Sequence, residues 1–184
     1  MRPLVLVAIV LALAVTAGCG DDSAGGEPSR EGAVADLEAL ADDVMTTGGE
    51  VVEVLEATGL EVAGARGKGD YCQSTPRPGF TFALGGELAA GAAYDEQVAT
   101  AREALLDAGW EVETEGEVTR TGDQEPEAWV NLVRDDWRLT LRRSGPEGSG
   151  ALVFGLTGQD ACIAIPDTTT RVPDDLEEVT LVEQ

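Results

Sequence analysis

The sequence predicts an α+β fold in which helices pack on one face of an antiparallel sheet of four or more strands. Two segments of the 184-residue chain repeat apolar residues at helical spacing, and each ends at a glycine, Gly59 or Gly109. The segments after residue 110 alternate apolar and polar residues and are separated by short turns. Strands joined by short turns run antiparallel, so we expect a single domain over residues 33–166.

The first helical pattern contains a glycine pair, Gly48 and Gly49, near its middle. The segment is either one long helix with a weak middle or two short helices with a turn at the glycines. Two glycines cost about 2 kcal/mol relative to alanine in a helix interior, so we expect a kink or a break there. A stripe of this kind usually covers a sheet, and the alternative is a coiled-coil or partner-helix role. The stripe consists of Val34, Leu37, Ala41, Val44, Val51 and Leu55.

Glycines also dominate the next two segments. Residues 60–62 open a strand, and residues 64–69 then combine three glycines with Arg66 and Lys68. A phosphate-binding loop would follow a strand and open a helix, whereas this segment ends at Cys72, so we expect a mobile hairpin or a bulge instead. A short strand at residues 80–84 is expected to end at the glycine pair 85–86.

Residues 94–108 form the clearest helical pattern, with acidic residues at its start, where the helix dipole favours negative charge. Strand patterns follow at residues 110–114, 117–120, 128–133, 137–142, 151–156 and 161–165. Asp135 and Asp136 predict a tight hairpin turn. Residues 167–184 are acidic and contain proline, and we expect them to form a loose tail.

Two junctions in the chain resemble each other. Residues 55–62 and residues 106–112 both have the pattern of a helix end, a glycine and the start of a strand. One interpretation is a doubled helix-plus-strands unit, and the other is coincidence, because such junctions are common.

The charge is strongly one-sided, with 12 lysines and arginines against 35 aspartates and glutamates. Non-specific binding to nucleic acid depends on cations that replace condensed counterions, so nucleic acid is excluded as a partner. The same negative charge repels anionic lipid headgroups. The folded part therefore needs some other attachment if it is to stay at a membrane.

The start of the chain has the layout of a bacterial secretory signal, with Arg2 before an apolar run at residues 4–15. The run is shorter than the roughly 20 residues that span a bilayer as a helix. Residues 15–19 resemble the lipobox of bacterial lipoproteins, with Thr16 in place of the usual leucine. This resemblance implies cleavage after residue 18 and lipidation of Cys19 by a diacylglycerol, with an acyl group such as palmitate on its amine.

The alternative is an ordinary secretory signal that is cut after Ala17, which would leave Cys19 as a free thiol. In the lipoprotein interpretation, residues 19–32 form a flexible tether, because they consist of Gly, Ser, Asp, Glu and Pro with hardly any apolar residue. The expected location is the extracytoplasmic face of the cell membrane. The membrane partner is lipid, held through the covalent N-terminal anchor.

Cys72 and Cys162 remain once Cys19 is assigned to lipid. Two thiols in an exported chain most often form a disulfide, which would close a loop of about 90 residues and add roughly 4 to 5 kcal/mol of stability. A redox pair would have Cys-x-x-Cys spacing, and a zinc site would need histidine or more cysteines.

Catalytic groups are scarce, because the chain has no histidine. A Ser-His-Asp site is therefore impossible, and Ser74 near Lys68 is only a weak imitation of a Ser-Lys pair. Carboxylate pairs occur in turns or the tail, where solvated charge is the default, and no calcium-loop spacing is present. We expect no catalytic residues, no cofactor and no metal. The pairs are Glu125 with Glu127, Asp135 with Asp136, and Asp174 with Asp175.

Several features together resemble the small lipoproteins of actinobacteria, including those labelled LppA-like. They are Cys72, the helix end at Gly109 and Trp110, the strand containing residues 134–137, and Cys162 after a Gly-Gln-Asp turn. The resemblance implies a lipidated, disulfide-closed α+β protein and carries no catalytic residues across. It is consistent with an arginine-rich, lysine-poor chain from a GC-rich genome.

These observations predict a non-catalytic binding or interaction module of the cell envelope. Its partner would be an envelope protein or ligand, captured on the sheet face that the helices leave open. One alternative is an envelope hydrolase, which would need two carboxylates facing one cleft with at least one raised pKa. The other is a structural envelope protein.

Overall fold

The computed structural model describes residues 28–73, 78–89, 91, 93–119, 126–144, 151–167 and 169–183. Within them, two helices pack on one face of an eight-stranded antiparallel sheet, which confirms the predicted α+β class. The elements are α1 (Arg30–Ala57), β1 (Val62–Gln73), β2 (Pro78–Leu88), α2 (Tyr94–Asp107), β3 (Glu111–Val118), β4 (Glu127–Arg134), β5 (Trp137–Arg143), β6 (Leu152–Gly158), β7 (Ile163–Ala164), a 3-10 turn (Asp174–Leu176) and β8 (Val179–Val182).

The strand order is β3-β4-β5-β6-β2-β1-β8, and every neighbouring pair is antiparallel. The short β7 pairs with the first residues of β2, where it continues the line of β6. The predicted hairpin turn at Asp135 and Asp136 is confirmed, and Asp135 has a φ of 52°. The order brings β6 beside β2, so strands from the two halves of the chain meet in the middle of the sheet.

Helix α1 is continuous over 28 residues, so the predicted break at the glycine pair is wrong. A Cβ atom at Gly48 would lie 2.5 Å from Cδ2 of Leu84 on β2. The glycine lets the helix approach the sheet closely, and burial of the apolar stripe outweighs the weak local propensity. The helix also begins at Arg30, inside the range expected for the tether, because Ser29 caps it by accepting a hydrogen bond from the Gly32 amide (3.1 Å).

The glycine-rich segments belong to strands, so the expected mobile hairpin is wrong, and so is the end of the strand at residues 85–86. Residues 64–69 lie inside β1, and the pair 85–86 lies inside β2. The register of β1 shifts between Val62 and Gly64 against β2 and between Ala65 and Arg66 against β8, which agrees with the alternative of a bulge. A Cβ atom at Gly67 would lie 2.5 Å from the Phe82 ring, and one at Gly86 would overlap the Phe154 ring. These glycines make room for large aromatic side chains of the core.

The acidic C-terminal segment is part of the fold, so the prediction of a loose tail is wrong for residues 169–183. Strand β8 pairs with residues 65–67 of β1. Val172 and Leu176 are buried, and a Cβ atom at Gly69 would lie 2.8 Å from Cγ1 of Val172. The few apolar residues of this segment therefore close the edge of the sheet that β1 would otherwise expose.

The two similar junctions adopt the same geometry. Gly59 and Gly109 have φ values of 84° and 87°, in the left-handed region that glycine tolerates. In each junction the next residue donates its amide to a carbonyl at the helix end, Leu60 to Leu55 (3.3 Å) and Trp110 to Leu105 (3.0 Å). Each helix thus turns back onto the sheet through the same type of cap.

Candidate binding site on the open face of the sheet

The sheet has one covered face and one face without helices, which we call the open face. On β2, the buried Phe80, Phe82 and Leu84 point to the helices, and residues 81, 83 and 85 point the other way. On β5, the buried Leu139 and Leu141 alternate with Arg138, Thr140 and Arg142 in the same manner. On these two strands the open face therefore carries small, polar and basic side chains.

One row of residues crosses the open face through six strands, in the order Thr114, Asn131, Thr140, Gly155, Gly85 and Arg66. Its first part is a hydrogen-bonded ladder. The Asn131 amide nitrogen donates to the Thr114 hydroxyl (3.0 Å), and the Thr140 hydroxyl donates to the Asn131 side-chain oxygen (2.9 Å). The ladder fixes the Thr140 side chain at the border of the glycines.

The middle of that row has no side chains. Gly155 and Gly85 pair directly with each other, and a Cβ atom on either would meet nothing within 4 Å. A depression of about 620 Å³ lies over them, bordered by Arg66, Glu87, Thr140, Arg142 and Val153 among others. Strands β1 and β5, which form its two sides, are separated by three strand spacings or about 14 Å.

A second depression of about 300 Å³ adjoins the first and shares Thr140 and Arg142 with it. Its apolar part is formed by Trp129 and by Val118, which is 45% exposed. The indole ring of Trp129 lies over Gly116 of the neighbouring strand, and a Cβ atom there would be 3.0 Å from Cζ2 of the ring. The glycine lets the ring lie flat along the sheet.

Four basic residues of the described part of the chain lie on the open face, and three of them are paired with carboxylates. Arg66 pairs with Glu178 (3.1 Å) and Lys68 with Asp70 (3.6 Å), and Arg138 makes two hydrogen bonds to the Glu113 carboxylate (2.9 and 2.8 Å). This last pair holds the pKa of Glu113 below its ordinary value, through the hydrogen bond first and the charge of Arg138 second. Arg142 is exposed and has no ion pair among the described residues.

The predicted disulfide between Cys72 and Cys162 is present, at one end of the sheet, and links residues 90 positions apart. It lies over Gly79 of β2, where a Cβ atom would be 2.7 Å from the Cys162 sulfur and 3.0 Å from the Cys72 sulfur. The bridge thus crosses β2 and ties β1 to the segment that leads into β7. Its position gives it a structural role, away from the two depressions.

The other predicted sites do not converge. Cys19, the leader and most of the tether lie outside the described residues, as do Ser74 and Glu125. Glu127 is buried and pairs with Arg143 (3.0 Å) at the start of β4, whereas Asp135 and Asp136 are exposed at the turn after its other end. Asp174 and Asp175 are exposed in the 3-10 turn.

Two further features are absent from the described part of the chain. No cluster of three or more His, Cys, Asp or Glu side chains there could hold a metal ion. No helix within the described ranges is long and apolar enough to cross a membrane.

Comparison of the chain with protein-family models, with curated proteins and with solved structures finds no match. The function of the open face must therefore be inferred from its own side chains and their arrangement. The alternation predicted at residues 137–142 assigns Arg138, Thr140 and Arg142 to one side of a strand, and the structure places them on one face of the sheet. The sequence patterns missed Trp129, Gly85 and Gly155 as site residues, because only the sheet order brings their strands together.

Proposed function

We propose that this chain is a lipid-anchored, extracytoplasmic binding module of the cell envelope, which presents the open face of its sheet to a ligand. The observation that carries the proposal is the pair of adjoining depressions around Thr140 and Arg142. They combine a flat aromatic ring, a cation without an ion pair among the described residues, and a glycine floor on the face opposite the two helices. Sites that bind small molecules commonly combine apolar surface with a few well-placed polar groups.

The chain's cysteines and charge support the anchor. Of three cysteines, two are paired with each other in the fold, so Cys19 is the thiol that remains for lipid. The lipobox-like residues 15–19 place that thiol at the end of an apolar leader. The net charge of −23 gives the domain no attraction of its own to an anionic membrane surface, so a covalent anchor has a physical purpose.

The proposal predicts that ligand contacts in the cell come from the open face. A photo-crosslinking amino acid is placed at Glu87, which borders the larger depression, in the full chain expressed in a bacterium that processes lipoproteins. The matched control is the same group at Glu103, an exposed glutamate on α2. We expect adducts of defined mass from position 87 and none of them from position 103.

Adducts that form only from position 103 would show that the helices carry the contact surface. Equal adduct patterns from both positions would show that contact is non-specific. Either result would contradict a binding function of the open face.

A further inference from the structure

We propose that the open face binds a short saccharide that carries a carboxylate, with one sugar ring stacked on Trp129 and the carboxylate on Arg142. This inference rests on the proposed function and names the ligand class for the same site. It follows from four features of the open face: the aromatic ring, the unpaired cation, the hydroxyl and amide ladder, and the floor without side chains.

The Trp129 ring provides a stacking surface. It lies over Gly116, partly exposed, beside the exposed Val118. A flat ring of this kind offers apolar area with little loss of conformational freedom on binding. The C–H face of a sugar ring has the size and flatness to cover an indole, whereas a bulky aliphatic side chain would need a concave pocket.

Arg142 supplies the charge complement. It borders both depressions, so a group bound to it lies next to a ring stacked on Trp129. Arg66, Lys68 and Arg138 already face carboxylates, which leaves the Arg142 guanidinium as the group that can take an anion without breaking a pair. A guanidinium binds a carboxylate through two parallel hydrogen bonds, which matches a single acid group on the ligand.

The remaining polar groups suit hydroxyls. The Thr140 hydroxyl donates its proton to Asn131, so its oxygen remains free to accept, and the exposed Glu87 on β2 also borders the larger depression. A sugar hydroxyl can donate to the Thr140 oxygen or to the Glu87 carboxylate. Over Gly85 and Gly155 the ligand can approach the backbone itself, because no side chain projects there. The combined space lies within the usual range for ligand pockets, about 300–1,000 Å³.

An acidic peptide fits these observations less well. Extended peptides obtain much of their affinity by adding a strand to a free sheet edge. The larger depression lies over β2, β5 and β6, which are interior strands paired on both sides. Among the described strands the free edge on the Trp129 side is β3, and a peptide that added a strand there would not cover the floor at Gly85 and Gly155. A peptide with many carboxylates would also be repelled by the overall charge of −23. A single carboxylate at Arg142 is repelled less, because physiological salt largely screens charges that lie more than roughly 8 Å away.

The test titrates the full chain, in detergent, with defined saccharides. Two probes with a single carboxylate represent two sources of the same chemistry: the disaccharide of N-acetylglucosamine and N-acetylmuramic acid, and a disaccharide of glucuronic acid and xylose. Chitobiose is the neutral counterpart of the first probe, and tetraglutamate represents an acidic peptide. Binding is measured by calorimetry, and the site is located by the indole N–H signals of the three tryptophans in an NMR spectrum. We expect at least one carboxylated saccharide to bind and to shift the Trp129 signal most, with the neutral disaccharide about tenfold weaker or more.

Four variants then test which side chains of the open face contact the saccharide. Arg142→Gln is expected to weaken the carboxylated saccharide about tenfold or more and to leave the weak binding of chitobiose unchanged. Arg138→Gln is the matched control, since it removes a cation from the same face of the same strand that is already bound to Glu113, and it should leave both affinities unchanged. Trp129→Leu should weaken both saccharides. Gly116→Ala should do the same by pushing the ring away, with thermal unfolding showing that both variants fold.

Failure to bind either carboxylated saccharide at millimolar concentration would overturn the inference. Tetraglutamate binding at Arg142 with equal or higher affinity would also overturn it, and would leave a peptide-binding module. A loss of affinity in Arg138→Gln as large as in Arg142→Gln would remove the assigned role of Arg142. The binding function itself fails separately, if crosslinks in the cell do not come from position 87.

Discussion

Single glycines set the distance between neighbouring layers and strands in this protein. Gly48 brings α1 close to Leu84, Gly86 makes room for the Phe154 ring, and Gly79 lies under the disulfide. At Gly85 and Gly155, by contrast, the space above the backbone is open. The sequence shows the same residue type in all five places, and only the neighbours distinguish a packing glycine from one that forms a binding floor.

This difference predicts unequal effects on the free energy of unfolding for alanine substitutions at Gly79 and Gly85, which lie on the same strand. Gly79→Ala should lower the free energy of unfolding by about 1–3 kcal/mol, because the added methyl group meets the Cys162 sulfur and the Ile163 carbonyl at 2.7 Å. Gly85→Ala should change it by less than about 0.5 kcal/mol, since its methyl group enters open space. Urea unfolding curves of the two variants decide the matter, and equal losses would contradict the packing described for Gly79.

At the scale of secondary-structure elements, local patterns predicted those elements whose signals lie within a few residues. Helix α2, the Asp135–Asp136 hairpin and the strands on either side of it were predicted from spacing and turn residues alone. The continuity of α1 and of β1 could not be predicted in this way. Both depend on contacts with residues far along the chain, Leu84 for the glycine of α1 and Phe82 for Gly67 of β1.

The C-terminal segment is the clearest case of an element whose structure depends on the strand with which it pairs. Its composition is acidic, yet Leu176 is buried against the fold and β8 extends the sheet beside β1. Short strands gain stability from a neighbour and from packing, so composition alone is a weak guide to them.

We therefore expect Leu176→Ala to lower the free energy of unfolding by about 2–3 kcal/mol, and its exposed neighbour to be insensitive. Glu177→Ala should stay within about 0.5 kcal/mol of the parent protein. Both variants are compared by chemical denaturation under the same conditions. If the two losses were equally small, the segment would be a loose tail after all.

On the scale of the whole molecule, the core, the disulfide and the open face occupy different parts of the fold. The helices and the buried side of the sheet form the core, the disulfide closes one end, and the open face carries the small and polar side chains. The N-terminal cap of α1, Ser29, stands ten positions after Cys19 in the sequence. In the proposed arrangement this short stretch connects the anchor to the domain.

The anchor itself is tested by metabolic labelling. In a bacterium that makes lipoproteins, the parent chain should incorporate radiolabelled fatty acid and partition with membranes. Cys19→Ala should lose the label and be released from the membrane, because the acidic domain has no attraction of its own to anionic lipid. The control is the double variant Cys72→Ser and Cys162→Ser, which removes two other cysteines and should keep the label. Equal labelling of the Cys19→Ala and parent chains would refute lipidation.

The sequence by itself determined the α+β class, both helix-ending glycines, the turn at Asp135 and Asp136, and the pairing of the two cysteines inside the domain. These features depend on local periodicity, on backbone conformations that few residues adopt, or on elimination among three thiols. Only the tertiary structure decided that β6 lies beside β2 and that Trp129, Arg142 and the two facing glycines share one surface. Strand order depends on pairing between segments that are distant in the chain, and a sequence pattern assigns a residue to a face without saying which strand is its neighbour.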